Sequence, residues 1–483
     1  MKPKIVYFLL ATVVAMNDYC HGQETAAPAG SVPEAALLLS QYIRRASITG
    51  NEKQAGEFFA AACRSKGLHV QVFSDEPGSY NFAASLYPLS LQKPNIVFLN
   101  HIDVVPPGDT TAWRYPPFSG TIAEDMVWGR GAIDLKGLAV MQLMALSTFN
   151  DQAERYDLPY NVTILSVSQE EETSDLGAQR VLRDHFVDIN AVVVFGEGGA
   201  GIPGLITTRP EQTVFCISTS EKQALWLRLT LSMPTSGHGS VPPSTYANKA
   251  MVKALGRLMA KKQRIQLTEA NIAMFDFLGR IEKGSKGFVM RNIRLFKPVI
   301  GRVLRKDPTI LSLVSNTISL TKIANPEGST NQIAQEVTAT LDCRLLPGTD
   351  DQKFIAEIQR SLRTEGITVS VDLSTVNASG SKISNGFYQD FSHALRLVYP
   401  GAEVVPYLFP AYTDNNYFRN LGIPVYGIKP VRLPRELLST IHNTDERLPI
   451  SALLDGTDVY IDFLNRVLYQ QSIASINKAN SLK

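Results

Sequence analysis

One stretch of the chain, residues 129–137, places a single carboxylate, Asp134, among glycines and between two basic residues. A glycine-rich turn with one acid is more often a surface loop than a functional site. Other residues of metal-binding type precede and follow this turn: His101, Asp103, Glu170, Glu171, Glu172, Glu197 and His442. They form a site only if the fold brings them together.

His101 and Asp103 follow an apolar run and are two positions apart, so their side chains point to the same side of a strand end. That spacing lets the carboxylate accept a hydrogen bond from the far imidazole nitrogen, which fixes the tautomer of a metal-binding histidine. The pair therefore predicts His101 as a ligand with Asp103 behind it.

Three adjacent carboxylates, Glu170 to Glu172, begin where another apolar run stops. Such a run usually lies on a solvated surface, because its members repel one another. A divalent metal ion relieves this repulsion, and a carboxylate left uncoordinated can act as a general base.

The combined set contains two imidazoles and three carboxylates and no thiolate, which suits zinc or another borderline divalent ion. It exceeds what one tetrahedral ion uses. Two ions about 3.5 to 4 Å apart that share one carboxylate and a water account for the number. We expect two Zn²⁺ ions, with Co²⁺ or Mn²⁺ as alternatives.

Three short apolar runs, residues 95–100, 162–167 and 191–195, are typical of strands buried on both faces of a parallel sheet. Helical patterns between them complete βαβ units. Ligands bind beyond the carboxyl ends of the strands in such sheets, so the polar residues after these runs point to one crevice. We expect an α/β fold, a mostly parallel sheet flanked by helices.

The pattern changes to alternating apolar residues near Trp226 and returns to the α/β style after Pro347. This predicts a smaller inserted α+β domain. We expect a catalytic domain in two parts, residues 31–223 and 347–470, and a lid or dimerisation domain over 224–346.

The chain has 483 residues, enough for two or three domains. Its formal net charge of +2 gives no reason to expect nucleic acid or an anionic membrane as the partner, and a small molecule or peptide fits better.

One segment, residues 280–306, has nine Lys and Arg residues against one acid, Glu282. We interpret it as a solvated face, with a membrane-binding or anion-binding surface as the alternative.

Residues 1–22 carry two lysines, then an apolar run, then a polar stretch, which is typical of a secretory signal peptide. The run is shorter than the about 20 residues that span a bilayer, and no later segment is long and apolar enough. We expect an exported protein, periplasmic or secreted, with a retained N-terminal anchor as the alternative.

Cleavage near Gly22 removes Cys20 and leaves three cysteines, Cys63, Cys216 and Cys343. We predict that these are buried thiols with at most one disulfide bridge.

In combination, the motifs resemble the co-catalytic zinc metallopeptidases typified by aminoacylase, carboxypeptidase S and carboxypeptidase G2. The basic segment before Pro308 is similar to the extended inserted domain of the carboxypeptidase S branch, whose members act on small peptides or N-acyl amino acids. The resemblance covers residues 101–448 and rests on His101 to Pro106, Trp113, Pro116 to Phe118, Gly129 to Gly137, the Glu171-Glu172 pair before Gly177-Ala178, and Tyr412 to Tyr417.

This resemblance implies that Asp134 bridges two zinc ions. Glu171 matches the general base, which takes a proton from the water between the ions as that water attacks the amide carbonyl, and Asp103 matches the carboxylate behind the first histidine. Gly196 departs from the pattern, since relatives often have Asp there. The remaining ligands implied are His101 and Glu197 for one ion, and Glu172 and His442 for the other.

In the inserted domain, His238 resembles a histidine offered to the tetrahedral oxyanion, in dimeric relatives across the subunit interface. Asn331 and Arg344 match residues that contact substrate, and a guanidinium suits a free carboxylate. The resemblance thus implies a homodimer formed through the inserted domain.

The expected function is hydrolysis of an amide bond next to a free carboxylate in a small peptide or N-acyl amino acid. Carboxypeptidase, dipeptidase and aminoacylase activities remain open. The alternative is a non-catalytic exported protein that binds a metal or peptide on the same fold. A serine hydrolase is disfavoured because the sequence has no GxSxG motif.

Overall fold

The computed structural model describes residues 32–155, 157–234, 237–376 and 378–470. The expected signal peptide, residues 1–22 with Cys20, lies outside them. The strands of the described residues are β1 (His69–Glu76), β2 (Ser79–Ser85), β3 (Asn95–His101), β4 (Thr121–Ala123), β5 (Met126–Trp128), β6 (Asn161–Val167), β7 (Ala191–Pro203), β8 (Thr213–Glu221), β9 (Gln223–Ser232), β10 (Gly237–His238), β11 (Thr317–Ala324), β12 (Gln332–Ile333), β13 (Glu336–Leu345), β14 (Ile367–Ser374), β15 (Glu403–Phe409), β16 (Val425–Arg432) and β17 (Arg447–Pro449). The α-helices are α1 (Glu34–Ile43), α2 (Lys53–Ser65), α3 (Lys136–Ser147), α4 (Asn150–Arg155), α5 (Ala178–Ile189), α6 (Ala247–Met259), α7 (Glu269–Ile281), α8 (Gly284–Arg291), α9 (Ile293–Leu304), α10 (Pro308–Val314), α11 (Asp351–Leu362), α12 (Gly386–Val398), α13 (Asn415–Asn420), α14 (Arg435–Leu438) and α15 (Ile450–Asn465).

A central sheet has the strand order β1, β2, β6, β3, β7, β16, β8, β15. The four neighbours β6, β3, β7 and β16 are parallel, and so is the pair β8 and β15. Antiparallel pairs join β1 to β2 and β2 to β6 at one edge. The predicted α/β fold with a mostly parallel sheet is confirmed.

Strand β3 shows why its sequence is apolar without interruption. Ile96 and Phe98 pack into a core with α1, α3, α12 and α15, while Val97 and Leu99 pack on the opposite face with α5 and α13. Successive strand residues point to opposite faces, so a strand covered on both sides needs apolar residues at every position. Helices therefore flank both faces of the sheet.

A second sheet, antiparallel throughout, has the order β11, β13, β9, β14. Leu227 of β9 and Leu341 of β13 pack in its core with residues of α6 and α11. The layer includes β14, so the boundary that we expected at residue 346 falls inside it. A short alternating strand fits either sheet, and its partner is far away in sequence: Thr368 pairs with Thr230, 138 residues earlier.

The basic segment, residues 280–306, forms the end of α7 and all of α8 and α9. Most of its Lys and Arg side chains are exposed. Ile293 and Leu304 pack inward in a cluster with Tyr407 of β15. Apolar residues of the segment thus pack beside β15, an edge strand of the central sheet.

The three cysteines expected in the mature chain, Cys63, Cys216 and Cys343, are buried free thiols, as predicted. Within the described ranges, no helix combines the length and apolar character needed to cross a membrane.

Candidate metal centre

Side chains from separate elements meet beyond the strand ends of the central sheet. His101 is the last residue of β3, and Glu170 lies in the turn after β6. Asp134 lies two residues before the first residue of α3. The Nε2 atom of His101 lies 3.7 Å from Oδ1 of Asp134 and 3.9 Å from Oε2 of Glu170. With Glu197 of β7, His101 and Asp134 form a group whose ligand atoms lie within 4.8 Å of one another.

A second group contains Asp134, Glu171 and His442. His442 Nε2 lies 3.3 Å from Oδ2 of Asp134 and 3.1 Å from Oε1 of Glu171. The two carboxylate oxygens of Asp134 thus face different imidazoles, Oδ1 that of His101 and Oδ2 that of His442.

The turn after β6 decides which glutamates face the centre. Glu170 and Glu171 have nearly buried side chains, whereas Glu172 is exposed and belongs to none of the ligand groups found among the described residues. Gln169 and Ser174 have positive φ angles and bend the chain sharply on either side of the run. The structure therefore brings Glu171, and not Glu172, next to His442.

Asp103 positions both this turn and the imidazole of His101. Its backbone carbonyl, rather than its carboxylate, lies at hydrogen-bond distance from Nδ1 of His101, 2.9 Å against 3.5 Å. Its carboxylate accepts hydrogen bonds from the backbone N–H groups of Glu170 and Glu171, each at 3.2 Å, and from the Thr49 hydroxyl. Asp103 therefore links the imidazole on β3 to the two glutamates.

The glycines around Asp134 are required by close packing. Gly129 and Gly131 have φ angles of +147° and +89°. A Cβ atom at Gly129 would lie 2.8 Å from the Pro117 carbonyl oxygen, and one at Gly137 would lie 2.2 Å from that of Ala132. Larger residues would push the chain away and displace Asp134.

The centre contains more carboxylate groups than basic groups. Burial raises the pKa of Glu170 well above its usual range, and the neighbouring Glu197 raises it further. Burial lowers the pKa of His101, but the nearby carboxylates of Asp103, Asp134 and Glu170 outweigh this effect and the net pKa is raised. Clustered acids of this kind favour binding of a cation.

The donor set fits a divalent ion. His101 Nε2 is buried and has no hydrogen-bond partner among the described residues, although it faces carboxylate oxygens of Asp134 and Glu170. An imidazole nitrogen held among carboxylates is a usual ligand environment for zinc and similar ions.

The structure places inside the centre a lysine, Lys429, that the sequence patterns do not indicate. Its Nζ atom lies 3.0 Å from Oε2 of Glu197 and 3.2 Å from Oδ1 of Asp134. Burial raises the pKa of Asp134, but Lys429, together with the two histidines, outweighs that effect and the net pKa falls well below its usual range. The available signal was a lone lysine within the apolar sequence of β16.

A cavity of about 1380 Å³ opens from these residues. Its wall includes Asp134, Glu170, Lys429 and, from the second sheet, Arg344, whose guanidinium is paired with Asp342 at 2.8 Å. Much of the remaining wall is apolar and is supplied by α7, α8, α10 and β15: Met274, Phe275, Leu278, Met290, Ile310, Leu313 and Tyr407.

His238 and Asn331 do not lie on the wall of this cavity. Both are exposed, and His238 Nε2 is 3.0 Å from Nδ2 of Asn331. They contact each other because β10 pairs with β12 beside them. The structure thus joins these two predicted residues to each other but not to the metal centre.

An α/β sheet with imidazoles and carboxylates clustered beyond its strand ends is an arrangement suited to metal-dependent hydrolysis. The model of Peptidase family M20/M25/M40 matches residues 97–466, and the chain belongs to this family. It is a metal-dependent hydrolase, and the family resemblance predicted from the motifs is confirmed.

The chain is also similar to proteins of known name. The Dictyostelium discoideum protein named "Probable carboxypeptidase S-like 2" is 27% identical over 378 residues, covering 76% of this chain and 70% of the relative. The N-fatty-acyl-amino acid synthase/hydrolase PM20D1 of Xenopus tropicalis is 28% identical over 373 residues, covering 76% and 71%. The crystal structure of the M20 family metallo-carboxypeptidase Sso-CP2 from Sulfolobus solfataricus matches with a TM-score of 0.70 at 19% identity, over 89% of this chain and 98% of that chain.

Proposed function

We propose that the chain hydrolyses the amide bond of N-acyl amino acids, with small peptides as the second substrate class, and that an apolar acyl group occupies the large cavity. The observation that carries the proposal is the shared wall of this cavity. One space of about 1380 Å³ is lined both by the candidate metal ligands and by the apolar side chains of α7, α8 and α10.

We assign two divalent ions to the centre, zinc first and Co²⁺ or Mn²⁺ as alternatives. Asp134 would supply one carboxylate oxygen to each ion. The contact of His442 with Asp134 and Glu171 supports one position, and the group of His101, Asp134 and Glu197 supports the other. When bound, such ions act as Lewis acids on the scissile carbonyl and lower the pKa of coordinated water.

We assign the general base to Glu170 and a metal-ligand role to Glu171, one position earlier in each case than the sequence-based assignment to Glu171 and Glu172. Glu170 is buried beside His101, while Glu171 contacts His442 directly. The Glu170 carboxylate takes a proton from the attacking water and delivers a proton to the leaving amine. Asp103 holds both backbone N–H groups of the turn and so orients the two carboxylates.

The size of the cavity favours a long acyl chain over an acetyl group. Pockets for drug-sized ligands usually have volumes of about 300 to 1000 Å³, and this one is larger. Its apolar residues gain free energy by removing a hydrocarbon chain from water. One relative is named for N-fatty-acyl-amino acids, which supports the same class. Arg344 offers a guanidinium on the cavity wall for the free carboxylate of the amino acid.

The test is a substrate panel with the purified chain, before and after removal of metal by a chelator. We expect hydrolysis of N-acyl amino acids to rise with acyl length from acetyl to dodecanoyl, to cease after chelation and to return with Zn²⁺, Co²⁺ or Mn²⁺. Hydrolysis that survives chelation would contradict the metal-dependent mechanism. Metal binding without turnover of any acyl amino acid or peptide would favour the non-catalytic alternative.

A further inference from the structure

We propose that Lys429 makes the two metal positions unequal, so that the chain binds one divalent ion tightly, at Asp134, Glu171 and His442, and a second only weakly, on the side of His101. The inference rests on the function proposed above. It concerns the number of ions that the centre retains, in which this chain departs from the two-zinc centre that its motifs imply.

The ammonium group of Lys429 donates a hydrogen bond to Glu197 on the His101 side. It also forms an ion pair with Asp134, whose Oδ1 atom has no hydrogen-bond partner among the described residues. The Nζ atom of Lys429 lies 3.0 Å from Glu197 Oε2 and 3.2 Å from Asp134 Oδ1. Oδ1 is also the oxygen of Asp134 that faces His101 Nε2, at 3.7 Å. A metal ion that uses these oxygens therefore competes with the ammonium group for them.

The other side of the centre has no such competitor. Oδ2 of Asp134 lies 3.3 Å from His442 Nε2, which is 3.1 Å from Glu171 Oε1. Of the ion pairs in the part of the chain that the structure describes, none joins Glu171 to a lysine or arginine. An ion bound there meets two carboxylates and an imidazole that deprotonates to coordinate it.

The backbone of Lys429 is held by the sheet, and its side chain lies on the wall of the cavity. The residue is 5% exposed and lies on β16, inside the central sheet, and its neighbours Ile428 and Val431 pack in the apolar core. The ion pairs found for it among the described residues are those with Asp134 and Glu197. A buried ammonium without a counter-charge is unfavourable, so the group stays beside these carboxylates and repels a second cation.

The adjacent strand cannot add an acid to compensate for the lysine. Gly196 directly precedes Glu197, and a Cβ atom there would lie 2.0 Å from Oδ1 of Asn415. Asn415 is fixed in place, since its Nδ2 donates to the Glu197 carbonyl at 2.8 Å and to Glu221 Oε1 at 3.0 Å. The ammonium charge on the His101 side is therefore not offset from this position.

The experiment counts metal ions without using activity. Metal-free protein is titrated with Zn²⁺ by calorimetry, and the zinc retained after gel filtration is measured by mass spectrometry. We expect the wild-type chain to retain roughly one ion and to bind the second with a Kd about 100-fold higher or more. His442→Ala should remove the tight ion.

The variants Lys429→Met and Lys429→Gln remove the positive charge from the His101 side. Both should retain roughly two ions and reduce the difference between the two Kd values to about tenfold or less. The matched control is Lys353→Met, on an exposed lysine of α11 that pairs with Asp350, and it should behave as the wild-type chain.

Two results would overturn the inference. One is a wild-type chain that binds two ions with equal affinity, a measurement that needs no variant to fold. The other is a second ion that remains weak in both folded Lys429 variants. Neither result bears on the proposed hydrolysis, which fails only if chelation leaves turnover intact or no substrate is cleaved.

Discussion

The carboxylate of Glu446 is ion-paired with the guanidinium of Arg130, at 2.7 Å between Oε2 and Nη1, in a fully buried position beneath the loop that carries Asp134. Glu446 also accepts hydrogen bonds from the backbone N–H groups of Gly131, Ile133 and Asp134, at 2.8 to 3.0 Å. One side chain, far away in sequence, thus fixes the backbone of the loop at Asp134.

We expect Glu446→Gln to destabilise the fold by roughly 3 kcal/mol, because it leaves the buried Arg130 guanidinium without a counter-charge. Zinc affinity should fall as well, since the loop that orients Asp134 loosens. Urea denaturation and zinc titration measure the two effects. Glu365→Gln, on an exposed glutamate, is the control and should change neither quantity. Unchanged stability in Glu446→Gln would show that the pair does not anchor the loop.

The three consecutive glutamates can be separated by single substitutions to Gln. We expect Glu170→Gln to lower kcat by about 10² to 10⁴ while zinc content is kept, because only the proton-transfer step loses its base. Glu171→Gln should lose zinc as well as activity. Glu172→Gln should keep its zinc and most of its kcat, because this side chain, although on the cavity wall, is exposed and outside the ligand groups found among the described residues. The opposite pattern, with zinc loss in Glu172→Gln, would restore the assignment made from the sequence.

This difference illustrates what sequence can and cannot predict here. The strands β3, β6 and β7 are predictable because burial on both faces demands continuous apolar runs. The backbone dihedral angles of the turn decide which of Glu170, Glu171 and Glu172 faces the metal centre. The spacing of residues in the sequence does not reveal these angles. The roles of Lys429 and Glu446 could not be predicted from the sequence for another reason. Each residue has its partners more than 200 residues away in sequence.

The apolar wall of the cavity predicts acyl-chain selectivity. Leu278→Trp, on α7, should raise KM for N-dodecanoyl amino acids about tenfold or more, because the indole fills space that the chain occupies, and leave N-acetyl substrates nearly unaffected. Steady-state kinetics across acyl lengths measures the effect. Val299→Trp changes an exposed residue of α9 that does not line the cavity, and it serves as the control. Equal losses for all acyl lengths would place the acyl chain elsewhere.

His238 supplies the test of the homodimer that the family resemblance implies through the inserted domain. It is exposed and is not on the cavity wall of its own chain, so a role in catalysis requires that it reach the site of a partner. We expect His238→Ala to lower kcat by about 10² to 10³, the effect of losing one oxyanion donor. Co-expression of His238→Ala with Glu170→Gln should restore about a quarter of wild-type activity, because half of the dimers are mixed and each mixed dimer has one complete site. A mixture that stays as inactive as its components would mean that His238 does not act across a dimer interface.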